Sequence, residues 1–202
     1  MERKKSLWIG FFLLVWLGGF CGVVRGQSLQ DYNNEGMQRA NRSDFHRAFQ
    51  AWEQGLELAR KRDDRGWLSV FLGNLGVVYS ELGDYSQALA HHDQALQIKR
   101  AIGDRQGEGA ALINLGNVYS ELGDYPRALA HYEQALQIDR AIGARQGEGD
   151  NLTGTGVVYS ELGDYPRALV ISFAVCGVAA GLVFPSPTAT SFPVRSGAVS
   201  FP

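Results

Sequence analysis

Apolar side chains between Asp104 and Gly143 recur every three or four residues, which is the spacing of one face of an α-helix. They form two stripes: Ala111, Leu112, Leu115, Val118, Tyr119 and Leu122, then Ala128, Leu129, Tyr132, Ala135, Leu136 and Ile138. Gly123 and Asp124 separate the stripes, and Pro126 suits the first turn of a helix, where its missing N–H group has no partner to lose. The pattern therefore predicts two antiparallel helices, which begin after the N-cap Asp104 and end at Gly143.

This forty-residue unit occurs several times along the chain. The stretch Tyr79–Tyr85 returns unchanged at residues 119–125 and 159–165. A weaker upstream copy is indicated by Asn34, Gly36, Asp44, Phe45, Ala48, Trp52 and Leu56, which stand forty residues before their counterparts. Periods of this length are typical of solenoids, in which each unit buries its apolar face only against its neighbours. Such a protein offers an extended surface, so binding is the leading functional interpretation.

Small and large side chains alternate within each unit as packed helices require. Gly116 and Ala128 lie where the two helices of a pair are expected to cross, and Ala135 is expected to face the next unit. Aromatic side chains fill the complementary volume, because close-packed helices interlock large residues against small ones. The positions to which we assign this structural role are Gly76, Tyr79, Ala88, Gly116, Tyr119, Ala128, Tyr132 and Ala135.

The unit resembles the tetratricopeptide repeat, through the positions Leu112, Leu115, Gly116, Tyr119, Gly123, Tyr125, Ala128, Tyr132 and Ala135. Its length is similar to the longer-helix variety in kinesin light chains and in scaffold proteins of G-protein signalling. The resemblance implies an all-α, right-handed superhelical solenoid of antiparallel helix pairs. We expect units near residues 28–63, 64–103 and 104–143 and a truncated fourth near 144–169, or about three and a half pairs.

The resemblance also implies where a partner binds. In that family the first helices of the pairs line a concave groove that contacts a peptide or a helix of another protein. The matching residues here are Asn34, Asn74, Ser80, Glu81, Asn114, Asn117, Ser120 and Glu121. An Asn side chain can donate to and accept from a peptide backbone, although it can equally bond a neighbouring helix. Relatives that clamp a C-terminal carboxylate carry Lys or Arg where this chain has Val70, Gly73, Ala110 and Ile113, so we expect a neutral to apolar groove.

Composition and charge argue against other classes of function. The chain has 19 basic and 21 acidic residues, a net charge of −2 and no basic cluster, which disfavours nucleic-acid binding. His46, His91, His92 and His131 have no Cys or carboxylate cluster beside them, so we expect no metal site and no cofactor. No catalytic constellation is recognisable, and Cys176 lacks an evident base. We therefore expect a protein that is not an enzyme.

The first 26 residues resemble a secretory signal peptide. Arg3, Lys4 and Lys5 form a basic start, the segment from Leu7 to Gly19 is apolar, and a cleavage site can be placed after Gly26. We expect export to the periplasm or the medium, with an uncleaved membrane anchor as the alternative. The apolar run is short for a membrane span, which favours cleavage.

The pattern of the fourth unit stops after Leu169. An apolar run follows from Val170 to Phe184, and a Pro, Ser and Thr-rich remainder, which we expect to be partly disordered, continues to residue 202. A reading-frame change, a membrane-associated segment 170–184 and a capping helix are the three explanations. The alternative to a scaffold is accordingly a truncated repeat fragment of a larger enzyme with a missing peptidase-like domain, or a nonfunctional gene fragment. An exposed last hairpin also suggests self-association.

Overall fold

The computed structural model describes residues 27–179; the predicted signal peptide and residues 180–202 of the predicted tail lie outside them. The described part is all-α, and its helices are α1 (Leu29–Ala40), α2 (Phe45–Lys61), α3 (Arg65–Glu81), α4 (Tyr85–Ile102), α5 (Arg105–Glu121), α6 (Tyr125–Ile142), α7 (Arg145–Glu161) and α8 (Tyr165–Ala179). Each helix packs on the next along the chain, and α5 also contacts α3 and α7. The expected solenoid of antiparallel helix pairs is confirmed.

Aspartates and glycines set the ends of the helices. The carboxylates of Asp44, Asp64, Asp84, Asp104 and Asp124 each accept a hydrogen bond from the backbone N–H three residues later. This bond satisfies one of the N–H groups that a helix start leaves unpaired. The glycine before several of these caps, such as Gly123, has a φ of 73°, which side chains adopt only with strain. Before α7, Ala144 occupies the position of the capping aspartate, and no side-chain cap bond forms there.

Contacts between a glycine and a ring hold the two helices of a pair together. A Cβ atom at Gly116 would lie 2.6 Å from Cε1 of Tyr132, and one at Gly76 would lie 2.6 Å from Cε1 of His92. Ala88, Ala128 and Ala135 are fully buried. The helix axes therefore approach to a distance that only these small residues permit.

Ion pairs that recur with the repeat join one pair of helices to the next. Nε of Arg100 on α4 donates to Glu108 on α5 at 2.8 Å, and Nε of Arg140 on α6 donates to Glu148 on α7 at 2.7 Å. Glu108 is buried, so its carboxylate is taken out of water with a partner in place. The same register is thus enforced at the α4–α5 and α6–α7 junctions.

Helix α8 continues past Leu169, where the repeat pattern of the sequence ends, to Ala179. Ile171, Ala174 and Val178 are buried and pack with Leu152 of α7 and Leu136 of α6. Within residues 27–179, no helix combines the length and the apolar character that crossing a membrane requires.

The contact between Gly116 and Tyr132 gives the first prediction. Replacing Gly116 with Leu lowers the free energy of unfolding by about 1–3 kcal/mol, because the added side chain overlaps the tyrosine ring. Gly73→Ala is the matched control: Gly73 also lies within a first helix, but a Cβ there meets no atom within 4 Å. This control gains about 0.5–1 kcal/mol, since alanine favours a helix over glycine. Circular dichroism during thermal and urea unfolding measures both, and an unchanged midpoint for Gly116→Leu contradicts the packing.

Candidate partner-binding groove

The first helices of three successive pairs form one cavity of about 830 Å³, which we name the groove. Helices α3, α5 and α7 supply most of its walls. The side chains that line it are Val77, Ser80, Glu81, Tyr85, His92, Ile113, Asn114, Asn117, Val118, Ser120, Glu121, Tyr132, Asp150, Thr153, Gly154 and Val157. Its volume is that of a site for a peptide segment or a drug-sized ligand.

Most of the residues that sequence reasoning assigned to partner contact lie together in this groove. They are Ser80, Glu81, Asn114, Asn117, Ser120 and Glu121, and their contact role stays a prediction. Asn74 instead donates from Nδ2 to Oδ1 of Asn33 at 2.9 Å, so its amide links α3 to α1. Asn34 accepts from Gln30 and lines a separate polar surface on α1.

Tyr132 sets the hydrogen bonding and the packing in the part of the groove that the third unit forms. Its hydroxyl donates to Oδ1 of Asn117 at 2.6 Å, which leaves the donor end of that amide for a ligand. Burial, aided by the charge of Glu121, raises the pKa of Tyr132 to about 12, so the hydroxyl keeps its proton. A Cβ atom at Gly154 would lie 2.6 Å from Cζ of Tyr132, which explains why glycine stands here in place of the repeated Asn.

The second unit has a smaller ring at the position of Tyr132. His92 is 1% exposed, and its Nδ1 has no hydrogen-bond partner among the described residues. Val77 occupies the position of Asn117, so the bond that Tyr132 makes has no counterpart. Burial first, and then the neighbouring His91, lower the pKa of His92 to about 4. The groove floor therefore contains a neutral imidazole with an unused polar atom. Aligning the units at a forty-residue offset shows His92 at the position of Tyr132, but not that its Nδ1 lacks a partner.

Carboxylates give the groove a negative charge. Glu81, Glu121 and Asp150 line it, and its lining residues include no Lys or Arg. Asp150 stands forty residues after Ala110, one of the positions from which sequence reasoning inferred a neutral surface. The positions behind that inference lie in the second and third units, whereas Asp150 lies in the fourth. The groove is apolar in part, at Val77 and Val157, and acidic around those side chains.

A second cavity, of about 290 Å³, lies between α6 and α7 and is lined by Leu129, Leu136, Leu152 and Tyr159 among others. Thr155 stands at its edge where the preceding unit has the fully buried Leu115. The Thr155 hydroxyl donates to the carbonyl oxygen of Asn151 at 2.8 Å. Replacing leucine by the shorter threonine removes packing volume, so this cavity is a defect of the fourth unit.

Clusters of three or more His, Cys, Asp or Glu side chains with metal-binding geometry do not occur within residues 27–179. Cys176 is exposed and free.

The buried imidazole gives a prediction about pH. The folded pKa of His92, about 4, lies below the ordinary value of 6.5, so the unfolded chain takes up a proton first as the pH falls. Its contribution to stability is present above pH 6.5 and is lost towards pH 4. His92→Phe removes this loss, whereas His46→Phe, at an exposed position, retains it. Urea unfolding at a series of pH values measures the free energy of unfolding. Parallel curves of this free energy against pH for the wild type and His92→Phe contradict the prediction.

Known proteins share this architecture. A family model of the tetratricopeptide repeat matches residues 32–101 and 107–171. BtubC (BKLC) from P. vanneervenii is 18% identical with a TM-score of 0.68, over 89% of this chain and 74% of that one. A signal transduction ATPase with numerous domains from Pyrococcus horikoshii, which has a tetratricopeptide repeat sensor, is 20% identical with a TM-score of 0.66.

The match to the ATPase covers 75% of this chain and 24% of that one, so this chain spans about a quarter of its length. At these identities the two structures show a common fold. No curated protein matches the chain. Tetratricopeptide repeats are generally scaffolds for protein interaction and typically not catalytic. Since the matched segments cover most of the sequence and carry the repeated glycine and aromatic positions, the chain belongs to the tetratricopeptide repeat family.

Proposed function

We propose that this protein is an interaction scaffold that binds a peptide or a helix of a partner in the groove, without catalysis or a cofactor. The observation that carries the proposal is the groove itself, which extends across α3, α5 and α7. Val77 and Val157 are 41% and 51% exposed there, so the groove presents apolar surface. Apolar side chains beside unused amide groups provide what an extended peptide or a helix face requires.

The groove offers hydrogen bonds as well as apolar contact. Within the described chain, Asn114 has no hydrogen-bond partner, and Asn117 uses only its oxygen, for Tyr132. Both amides can therefore engage a peptide backbone without breaking an existing bond. Because the helices that present them are packed from behind, little ordering is needed on binding, which favours affinity.

The proposal includes export of the protein from the cytoplasm. A chain that begins with the segment 1–26 would reach the periplasm or the medium and meet its partner there. Retention by an uncleaved leader would instead hold the same groove at the membrane surface. The sensor named in the ATPase from Pyrococcus horikoshii is a related use of such repeats.

A steric block of the groove tests the function. Peptides are selected from a displayed random library on the wild-type protein, and their dissociation constants are measured by fluorescence anisotropy. Val77→Trp fills the α3 end of the groove and weakens binding by about tenfold or more, because the indole occupies space that the peptide needs. Gln134→Trp, on the exposed side of α6, is the matched control and changes binding less than about twofold. Equal affinity for the wild type and Val77→Trp would contradict the proposal.

Self-association through α8 is a second proposal with its own observation. Phe173 is 66% exposed where the preceding unit has Glu133, and Leu169 is 59% exposed where it has the partly buried Leu129. In the array, α7 packs on α6, and within the described residues no helix packs on α8 in the same way. The opposite end of the solenoid is polar, with Asp31, Asn34, Glu35, Gln38, Arg39 and Arg42. A second copy therefore fits α8 against α8 in a two-fold arrangement, since the polar end cannot cover an apolar face.

Solution mass tests this dimer. Phe173→Glu introduces the residue type of the preceding unit and gives a monomer, because two carboxylates would face each other at the contact. Leu122→Glu, which changes another exposed apolar residue, at a turn, leaves the dimer intact. Light scattering with size-exclusion chromatography measures the masses, and a wild-type protein that is monomeric at high concentration refutes the dimer.

A further inference from the structure

The carboxylates of the groove have no cationic partner in the part of the chain that the structure describes. Glu81, Glu121 and Asp150 are exposed, and none of them forms an ion pair within residues 27–179. The uncompensated charge affects neighbouring groups. Glu121 contributes to the raised pKa of Tyr132, and Asp150 contributes to the raised pKa of Asp139. Three like charges thus face one cavity without neutralisation.

Several basic side chains of these units are engaged elsewhere. Arg100 and Arg140 pair with Glu108 and Glu148 at the junctions between helix pairs. Arg127 pairs with Asp124 and lies over the ring of Tyr119, and Arg167 makes the equivalent contacts with Asp164 and Tyr159. These cations belong to turns and junctions that recur with the repeat. None of these cations lines the groove, so its three carboxylates lie among residues without a basic side chain.

A second observation, independent of the carboxylates, points to a bound partner. The imidazole of His92 lines the groove, is almost wholly buried and has an unpaired Nδ1. The hydroxyl of Ser80, in the same wall, is also buried without a hydrogen-bond partner in the described chain. Buried polar atoms are nearly always paired in folded proteins. A segment lying in the groove could supply hydrogen-bond partners to this wall while its charged side chains reach the carboxylates.

We infer that the groove recognises a cationic segment, a peptide or helix with Lys or Arg side chains spaced among apolar ones. This inference rests on the proposed function and names the chemistry of its partner. Apolar side chains of the segment would pack on Val77, Ile113 and Val157, and its cations would lie at Glu81, Glu121 and Asp150. A neutral or acidic segment would cover these carboxylates without compensating them, which costs free energy.

The test uses two labelled peptides and two triple variants. One peptide alternates lysine with leucine, and the other has glutamate in place of each lysine. The groove variant carries Glu81→Gln, Glu121→Gln and Asp150→Asn. The control variant carries Glu53→Gln, Asp93→Asn and Glu133→Gln, a set of exposed carboxylates that recurs every forty residues on the second helices. Both variants change the net charge equally, so general attraction between an acidic protein and a basic peptide is held constant.

Fluorescence anisotropy in low salt gives the dissociation constants. We expect the groove variant to bind the lysine peptide about tenfold more weakly, as three exposed pairs would predict, and the control variant to stay within about twofold. Wild-type binding should also weaken several-fold between about 50 and 500 mM NaCl, because screening acts on exposed charge. Equal losses in the two variants would show attraction without a site and overturn the inference.

The glutamate peptide and Val77→Trp separate this inference from the proposed function. If the glutamate peptide binds as tightly as the lysine peptide and Val77→Trp blocks both, the groove is a binding site and its preference for cations is refuted. If Val77→Trp blocks neither peptide, the groove function fails and the inference fails with it. Selective loss of the lysine peptide in both the groove variant and Val77→Trp supports both.

Discussion

The close contact between a glycine on one helix and a ring on the next is the constraint on which the rest of this structure depends. Gly116 against Tyr132 and Gly76 against His92 bring the two helices of a pair together until no β-carbon fits between them. The contact also fixes where the following pair docks, since Tyr132 reaches across to Gly154 of the next unit. Each ring thus serves two interfaces, and a change in its size must be matched on both sides.

The second and third units show how such matching creates a binding surface. The larger Tyr132 is accompanied by a glycine at 154 and by Asn117, which accepts its hydroxyl hydrogen. The smaller His92 lines the same groove as Asn114 and Val77, and Val77 offers no hydrogen bond. The hydrogen bonding of the groove therefore changes along its length. An unpaired imidazole lies at one end, and a phenol whose hydroxyl is hydrogen-bonded lies at the other. Near-identical repeats present different chemistry at neighbouring positions.

The fourth unit loses several of the contacts that the other units repeat. Its first helix lacks the aspartate cap, Thr155 leaves a cavity, and Ile171 rather than an aromatic ring approaches Gly156. A buried pair in which Nδ2 of Asn151 donates to Asp139 at 2.6 Å replaces the ion pair between Lys99 and Asp104. Burial raises the pKa of Asp139, so its charge opposes folding near neutral pH. Stability in an array is transmitted between neighbours, which makes this end the weakest part of the described solenoid.

The sequence by itself determined the helices, their pairing and the family, because these depend on local periodicity and on a forty-residue register that any copy reveals. It also indicated six of the residues that line the groove, including Asn114 and Glu121. Only the tertiary structure decided that Asn74 bonds to Asn33, that His92 is buried with an unused nitrogen and that Asp150 joins two glutamates in one cavity. These facts depend on which side chains of different units meet, and the packing of three successive pairs sets that.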